Sequence, residues 1–156
     1  NSGKVAGVAV DVYPTEPKSN DEPFTNALMG QKNTILTPHI GGSTMEAQKH
    51  IGNFVPTSLM SYINTGASYD SVNLPQIKIV PQKSGHRFLH IHKNVSGVLA
   101  QVNNILAKYD MNITGQHLKT DEQVGYLITD VDKKYNKEVI AELKAINETI
   151  KFRLLY

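Results

Sequence analysis

The sequence predicts a chain of two unlike parts: an α/β segment with fewer strands than a sheet needs, then a complete α+β unit. Three observations carry this. Two short apolar runs near the start, "KVAGVAVDVY" and "TILT", precede a long stripe with helical spacing. Residues 67–86 then lose that patterning and hold Pro75, Pro81 and a Lys-Ser-Gly step. From residue 84 the apolar period switches between 2 and 3.6 in the order β-α-β-β-α-β, the ferredoxin-like split arrangement.

Taken in order, "KVAGVAVDVY" reads as a strand buried on both faces, as parallel strands are. Residues 14–33 hold Pro14, Pro17 and Pro23 among Asn, Asp, Ser and Gly, and read as a long ordered loop. "TILT" is a second short buried strand. Ser43 and Glu46 have the S-x-x-E spacing of a capping box, and open a helix. Its apolar stripe is Ile51, Val55, Leu59, Tyr62 and Ile63, and Gly66 suits the left-handed position that ends it. Pro56 lies inside the pattern and predicts a kink. The expected divisions are 1–42, a helix over 43–65, a linker over 66–83, and a second unit over 84–156.

In that second unit "RFLHIHK" alternates Phe88, His90 and His92 against Leu89 and Ile91, as a strand does. Val98, Leu99, Val102, Ile105 and Leu106 share one helical face. "MNITGQHLKT" and "VGYLITDVD" are two strands about a turn at "TDEQ". Val139, Ile140, Leu143 and Ile146 mark the second helix, and "TIKFRLLY" is the last strand.

Composition narrows the function classes. The 156 residues suit one or two domains, and 40% hydrophobic with 19% charged is a globular composition. A net charge of +2 is too small to argue for nucleic acid or an anionic membrane. With no cysteine, disulfides, thiolate metal sites and a cysteine nucleophile are excluded. No apolar run nears the roughly 20 residues of a membrane span, and no signal peptide is visible. A soluble cytoplasmic protein is expected. The chain opens on Asn1 and runs straight into "GKVAGVAVDVYP", which reads as a piece of something longer.

His39 is the first candidate for chemistry. It follows a buried strand and precedes Gly41, Gly42 and a helix start, where open α/β sheets place ligands. The competing reading is a strand cap bonded to a loop carbonyl. Asp11 and Glu16 lie just past the other strand. Parallel strands would bring all three to one edge, where a carboxylate can orient a histidine and stabilise its imidazolium. Alone, Glu16 reads as a surface acid and Asp11 as a turn former. His90 and His92 form an H-x-H pair, but no third ligand is evident and no metal is expected. Asn94 and Asn112 are turn residues or amides for a small zwitterion.

"DVYPTEP", "NTILTPHIGGSTMEAQKHIG", "RFLHIHKNVSGVLAQVNNILAKYDMNI" and the final "FRLLY" together resemble the C-terminal part of the bacterial phosphoglycerate dehydrogenases. These are the serine-pathway branch of the D-isomer-specific 2-hydroxyacid dehydrogenases, and they end in an ACT regulatory domain. The resemblance covers essentially the whole chain. It implies that the first part is a remnant of a Rossmann-type NAD-binding domain, and that residues 84–156 are the ACT domain.

The resemblance also implies roles. His39 matches the histidine that takes the hydroxyl proton as hydride leaves to NAD, and Glu16 the acid paired with it. Asp11 matches the acid at the nicotinamide end of the cofactor. The backbone of His39, Ile40, Gly41 and Gly42 matches the segment lining it. The substrate implied is 3-phosphoglycerate. His92, Asn94 and Asn112 match positions that hold L-serine, the feedback effector, between paired ACT domains, in a homo-oligomer that is tetrameric at full length. Where that family often reads Arg-Pro-Gly after the first asparagine, this chain has "NVSG", so Ser96 replaces the proline.

The family's substrate-binding arginine and its Gly-rich phosphate loop would both lie upstream of Asn1. The chain's arginines are Arg87 and Arg153, and no G-x-G-x-x-G occurs. The chain alone is therefore expected to be inactive. The alternative is a stand-alone amino-acid-binding module whose first 80 or so residues are structural.

Overall fold

The structure, a computed structural model, describes residues 2–82, 85–132 and 134–155. Asn1, Lys133, Tyr156 and the expected division between 83 and 84 lie outside the described residues. The chain divides into two compact units, Asn1–Gly52 and Asn53–Tyr156.

In the first unit β1 (Val8–Val10) pairs in parallel with β2 (Thr34–Leu36), Val8 opposite Thr34 and Val10 opposite Leu36. The strand read over residues 4–13 is thus much shorter. Neither strand is buried on both faces, since Ala9 of β1 is exposed and Ile35 of β2 is 64% exposed. A sheet of two strands has no neighbours to extend its ladder and little to cover its faces. Tyr13 is the buried anchor here, with Phe24 edge-on at 4.7 Å between ring centroids.

Helix α1 (Met45–Thr65) starts one residue later than its sequence signal. The Thr44 hydroxyl, not Ser43, accepts from the Ala47 N–H at 3.1 Å. That is the N-cap to N3 bond of the capping box, shifted by one, and it leaves Glu46 in the first turn facing the helix dipole. The helix runs through Pro56 without a break. Val55 and Leu59, read as a buried stripe, are half-exposed, and α1 packs on apolar neighbours only from Tyr62 onward. It ends at Gly66, where φ is 79° and the N–H donates back to Tyr62 O at 3.0 Å. A Cβ there would lie 2.5 Å from the Leu89 side chain, so glycine is required on both counts.

The second unit is a four-stranded antiparallel sheet of order β4-β5-β3-β6. Its elements are β3 (His86–Lys93), α2 (Val98–Lys108), β4 (Ile113–Thr120), β5 (Val124–Val131), α3 (Lys137–Ala145) and β6 (Thr149–Leu155). This is the βαββαβ order read from the sequence. The two central strands, β3 and β5, are buried along most of their length, while β4 and β6 are edges.

The alternation places side chains on two faces. One face joins α2 and α3 in a cluster that includes Phe88, Val98, Val102, Leu106, Leu127 and Leu143. Burying a side chain of this size contributes about 1.5–3 kcal/mol. The Asn136 side chain caps α3 by accepting from Val139 N, and Glu142 ties it to α2 through Lys108 and Tyr109. The other face clusters Leu89, Tyr126, Ile128 and Leu155 around Ile77. Ile77 comes from the stretch read as a linker. That stretch has no strand or helix among its described residues, yet it packs, because Ser68 N–H and Oγ bond Ile77 O and Pro75 O.

Three strands also grip the end of α1. Arg87 Nη1 donates to Thr65 O at 2.9 Å, Tyr126 Oη to Gly66 O at 2.6 Å, and Arg153 to Tyr62 O and Ile63 O. The last carbonyls of a helix lack intrahelical partners and carry partial negative charge. Two guanidinium groups answer both needs. Arg87 is buried, and its Nε and Nη2 form a bidentate pair with Asp130 at 2.6 and 2.7 Å.

Candidate active site and effector site

The carboxyl ends of β1 and β2 lie side by side because the pair is parallel. Asp11 and Glu16 follow one strand, and Thr37 and His39 follow the other. His39 Nδ1 lies 2.8 and 2.9 Å from the two Glu16 carboxylate oxygens. An ionised carboxylate only accepts, so Nδ1 carries the proton and Nε2 is left as a bare acceptor. The pair is partly exposed, at 43% and 35% of the two side chains.

The electrostatics follow from these bonds. Glu16 is held below its ordinary value, first by the Tyr13 backbone N–H and then by His39. His39 is raised, chiefly by its hydrogen bond to Glu16 and by that residue's charge. Asp11 is lowered, first by the Thr37 hydroxyl at 2.6 Å and also by the His39 N–H at 3.1 Å. Both bonds use the same oxygen, Asp11 Oδ1. The second accounts for an unusual backbone, since His39 sits at φ 53°, a left-handed conformation that residues with a Cβ seldom adopt.

Ile40, Gly41 and Gly42 continue from His39 as a turn. A Cβ built on either glycine meets nothing within 4 Å, so the backbone here is open to a ligand's approach. Thr37 and Tyr13 carry no recognised motif signal as polar partners. Only the folded arrangement shows that both touch this edge.

In the second unit His92 and Asn94 stand at one end of the sheet. His92 is buried, and its Nδ1 donates to Lys93 O at 2.8 Å, leaving Nε2 buried with no hydrogen-bond partner among the described residues. Asn94 Nδ2 donates to Asp121 O at 2.7 Å, in the β4–β5 turn. Gly125 passes beneath the His92 ring so closely that a Cβ there would lie 2.2 Å from it.

His90 is the next residue on the same face, its ring centroid 5.4 Å from that of His92. Thr149 Oγ1 lies 2.7 Å from His90 Nε2, and among the described residues His90 Nδ1 is a second buried nitrogen without a partner. Burial, and then the neighbouring His92, push His90 down to about 4. Among the described residues no three of His, Cys, Asp or Glu are grouped to hold a metal ion.

Asn112 does not join them. Its carbonyl accepts from Asp132 N, past the far end of β5, whereas Asn94 bonds Gln123 O, before its near end. The eight residues of β5 separate the two by about 25 Å at the usual rise per residue. The three effector candidates of the sequence reading are therefore not brought together within the chain.

Comparison with known proteins agrees with both parts. Residues 1–41 match the family model for the D-isomer specific 2-hydroxyacid dehydrogenase NAD binding domain. Residues 88–151 match that for the AHAS small subunit-like ACT domain. Over 155 residues, 99% of the chain, it is 48% identical to a D-3-phosphoglycerate dehydrogenase of Dictyostelium discoideum, covering 38% of that protein. The same enzyme of Escherichia coli K12 is 44% identical over 157 residues, again 99% of this chain and 38% of that one. D-3-phosphoglycerate dehydrogenase 1 of Saccharomyces cerevisiae is 42% identical over 170 residues, 99% of this chain and 36% of that one. The chain thus spans a little over a third of the relatives it matches. Among the described residues no helix is long and apolar enough to cross a membrane.

Proposed function

We propose that this chain is the C-terminal part of an NAD-dependent D-3-phosphoglycerate dehydrogenase, supplying an acid–base dyad and an amino-acid-sensing domain. The observation that carries the reading is the His39–Glu16 pair, within the segment similar to the NAD-binding domain. The divisions we adopt are 1–42 for that domain, 43–65 for the helix, 66–83 for the connection and 84–156 for the ACT domain.

With Glu16 on Nδ1–H, His39 Nε2 is free to take the proton of the substrate hydroxyl and to return it in the reverse direction. Glu16 fixes the tautomer and offsets the charge of the imidazolium that forms. When bound, NAD accepts the hydride from the hydroxyl-bearing carbon. Asp11 and the backbone of His39, Ile40, Gly41 and Gly42 would hold its nicotinamide end, which suits the open backbone at the two glycines. On the family resemblance, the arginine that binds the substrate's carboxylate is not one of this chain's. Both arginines, Arg87 and Arg153, donate to the end of α1.

A chimera that joins this chain to the N-terminal part of the Escherichia coli relative tests the dyad. It should reduce NAD with 3-phosphoglycerate, and His39→Gln should lower the rate by about 10²–10⁴, the usual contribution of a general acid–base group. An undiminished rate in the His39→Gln chimera removes His39 from the mechanism.

The effector is an amino acid, L-serine on this reading. His92 Nε2 is a buried acceptor without a donor among the described residues, which favours a ligand that brings an ammonium or a hydroxyl over one that presents only a carboxylate. The separation of Asn94 from Asn112 calls for two copies. If β4 of one copy pairs antiparallel with β4 of another, Asn112 of each lies at the partner's Thr120 end, beside the turn that Asn94 touches. Mixing Asn94→Ala and Asn112→Ala chains should then restore one intact serine site per mixed dimer. Calorimetry showing no recovered binding in confirmed mixed dimers refutes the shared site.

A further inference from the structure

We propose that Tyr13 and Thr37 are positioning residues for the dyad, their hydroxyls clasping the ends of β1 and β2 so that Glu16 and His39 stay in register. The inference rests on the reading of His39 and Glu16 as a working pair, and adds what holds that pair together. Tyr13 Oη lies 2.9 Å from Val10 O and 2.8 Å from Thr37 O, so one phenolic proton is shared between the carbonyls of both strand ends. The Tyr13 N–H donates to Glu16 Oε1 at 2.9 Å. On the other side the Thr37 hydroxyl donates to Asp11 Oδ1, and the same oxygen accepts the His39 N–H.

The clasp matters because the backbone ladder at these ends is short, closing with the Thr37 N–H donating to Val10 O at 3.1 Å. The ladder between β1 and β2 has three residue pairs, and an isolated two-stranded sheet is marginal in water. His39 also stays at positive φ against its intrinsic preference, supported by Asp11, which Thr37 orients. Glu16 and Asp11 are the charged groups that face His39, and each is bonded to one of the two proposed residues. A Tyr13 that only filled space would need no hydroxyl.

Nuclear magnetic resonance on the 156-residue chain tests this by following the His39 ring through a pH titration, with the amides of β1 and β2 reporting the fold. The variants are Tyr13→Phe, Thr37→Val and Thr37→Ser. In the unaltered chain His39 should titrate above an ordinary histidine and show a downfield Nδ1 proton. Tyr13→Phe and Thr37→Val should each move the midpoint down and lose that resonance, while Thr37→Ser, which keeps the hydroxyl, should retain both. A raised midpoint left unmoved by Tyr13→Phe and Thr37→Val overturns the clasp and spares the dyad. An unraised midpoint in the unaltered chain overturns the dyad reading, and the clasp with it. If Thr37→Val loses its dispersed strand amides, Tyr13→Phe decides, because it retains the ring against Phe24.

Discussion

Replacing Arg87 by methionine tests the physical account of the second unit most severely. Arg87 is 1% exposed, and its guanidinium hydrogen-bonds to both carboxylate oxygens of Asp130, to Thr65 O and to Val80 O. Methionine fills much of the same volume, so the loss is electrostatic rather than a cavity. It strips a buried carboxylate of its bidentate partner, which costs about 3–5 kcal/mol when one member of a buried pair is removed. The unpaired carbonyls add to this. For a unit of about 100 residues each kcal/mol lowers Tm by roughly 4–8 °C, so a fall of at least about 12 °C is expected. Differential scanning calorimetry, checked by urea unfolding at constant m, measures it. The double variant Arg87→Met/Asp130→Leu should recover most of the loss, because no charge is then left buried alone. A single-variant loss below about 1 kcal/mol, or a double variant no better than the single one, would show that the pair is not what holds this region.

The other predictions concern the two sites. Glu16→Gln removes the acceptor charge at His39, so the His39 titration should shift down, read by the same ring resonances; an unmoved midpoint means the contact does not form in solution. The dyad also sets a pH window for the first unit. His39 is raised on folding, so its contribution is complete below about 6.5 and is lost as pH rises through the folded value. Glu16 is lowered, so its contribution is present above its ordinary value near 4.5 and is lost as pH falls through its folded one. Protection of the β1 and β2 amides, taken against the intrinsic exchange rate at each pH, should therefore be greatest between those limits, and equal protection inside and outside the window counts against the pair. Gly125→Ala should displace the His92 ring and weaken serine binding more than tenfold by calorimetry while the sheet still forms; full affinity in a folded variant would clear His92 of any contact with the effector.

The legible parts of the sequence were those where period alone decides. The six elements of the second unit follow from alternation in "RFLHIHK" and from helical stripes such as Val98, Val102 and Leu106, since each buries one face against another element of the same chain. The stripe of α1 misled, because spacing reports amphipathicity and not whether a surface exists to cover it. Val55 and Leu59 stay half-exposed. The 66–82 stretch misled in the opposite direction. Prolines and low periodicity suggested a linker, but Ile77, with Ile79 packed against the same cluster, anchors it, and two apolar residues are too few to register as a period. The helix start was off by one because Ser43 and Thr44 are both competent caps, and only the backbone conformation chooses between them. The proximity of Glu16 and His39 was inferable once the two strands were taken as adjacent and parallel. Tyr13 and Thr37 were not, since a tyrosine or threonine hydroxyl at a strand end gives no spacing signal.

The two units are stabilised by different means, and this bears on where function sits. The second has apolar clusters on both faces of its sheet, so its polar exceptions stand out: Arg87 is paired, while among the described residues the adjacent His90 and His92 each keep a buried nitrogen without a partner, as Gln82, His86 and Glu148 each keep one such atom. In a well-packed unit such atoms are costly unless a ligand completes them, which is the physical reason to read that end of the sheet as a binding site. The first unit reverses the pattern. It has little apolar burial beyond Tyr13, and hydrogen bonds among Asp11, Tyr13, Glu16, Thr37 and His39 hold its strand ends. Directional bonds at a sparse site fix the orientation of one imidazole more tightly than apolar packing could. They also make that orientation sensitive to the loss of a single hydroxyl, whereas the second unit can lose an exposed polar group with little effect.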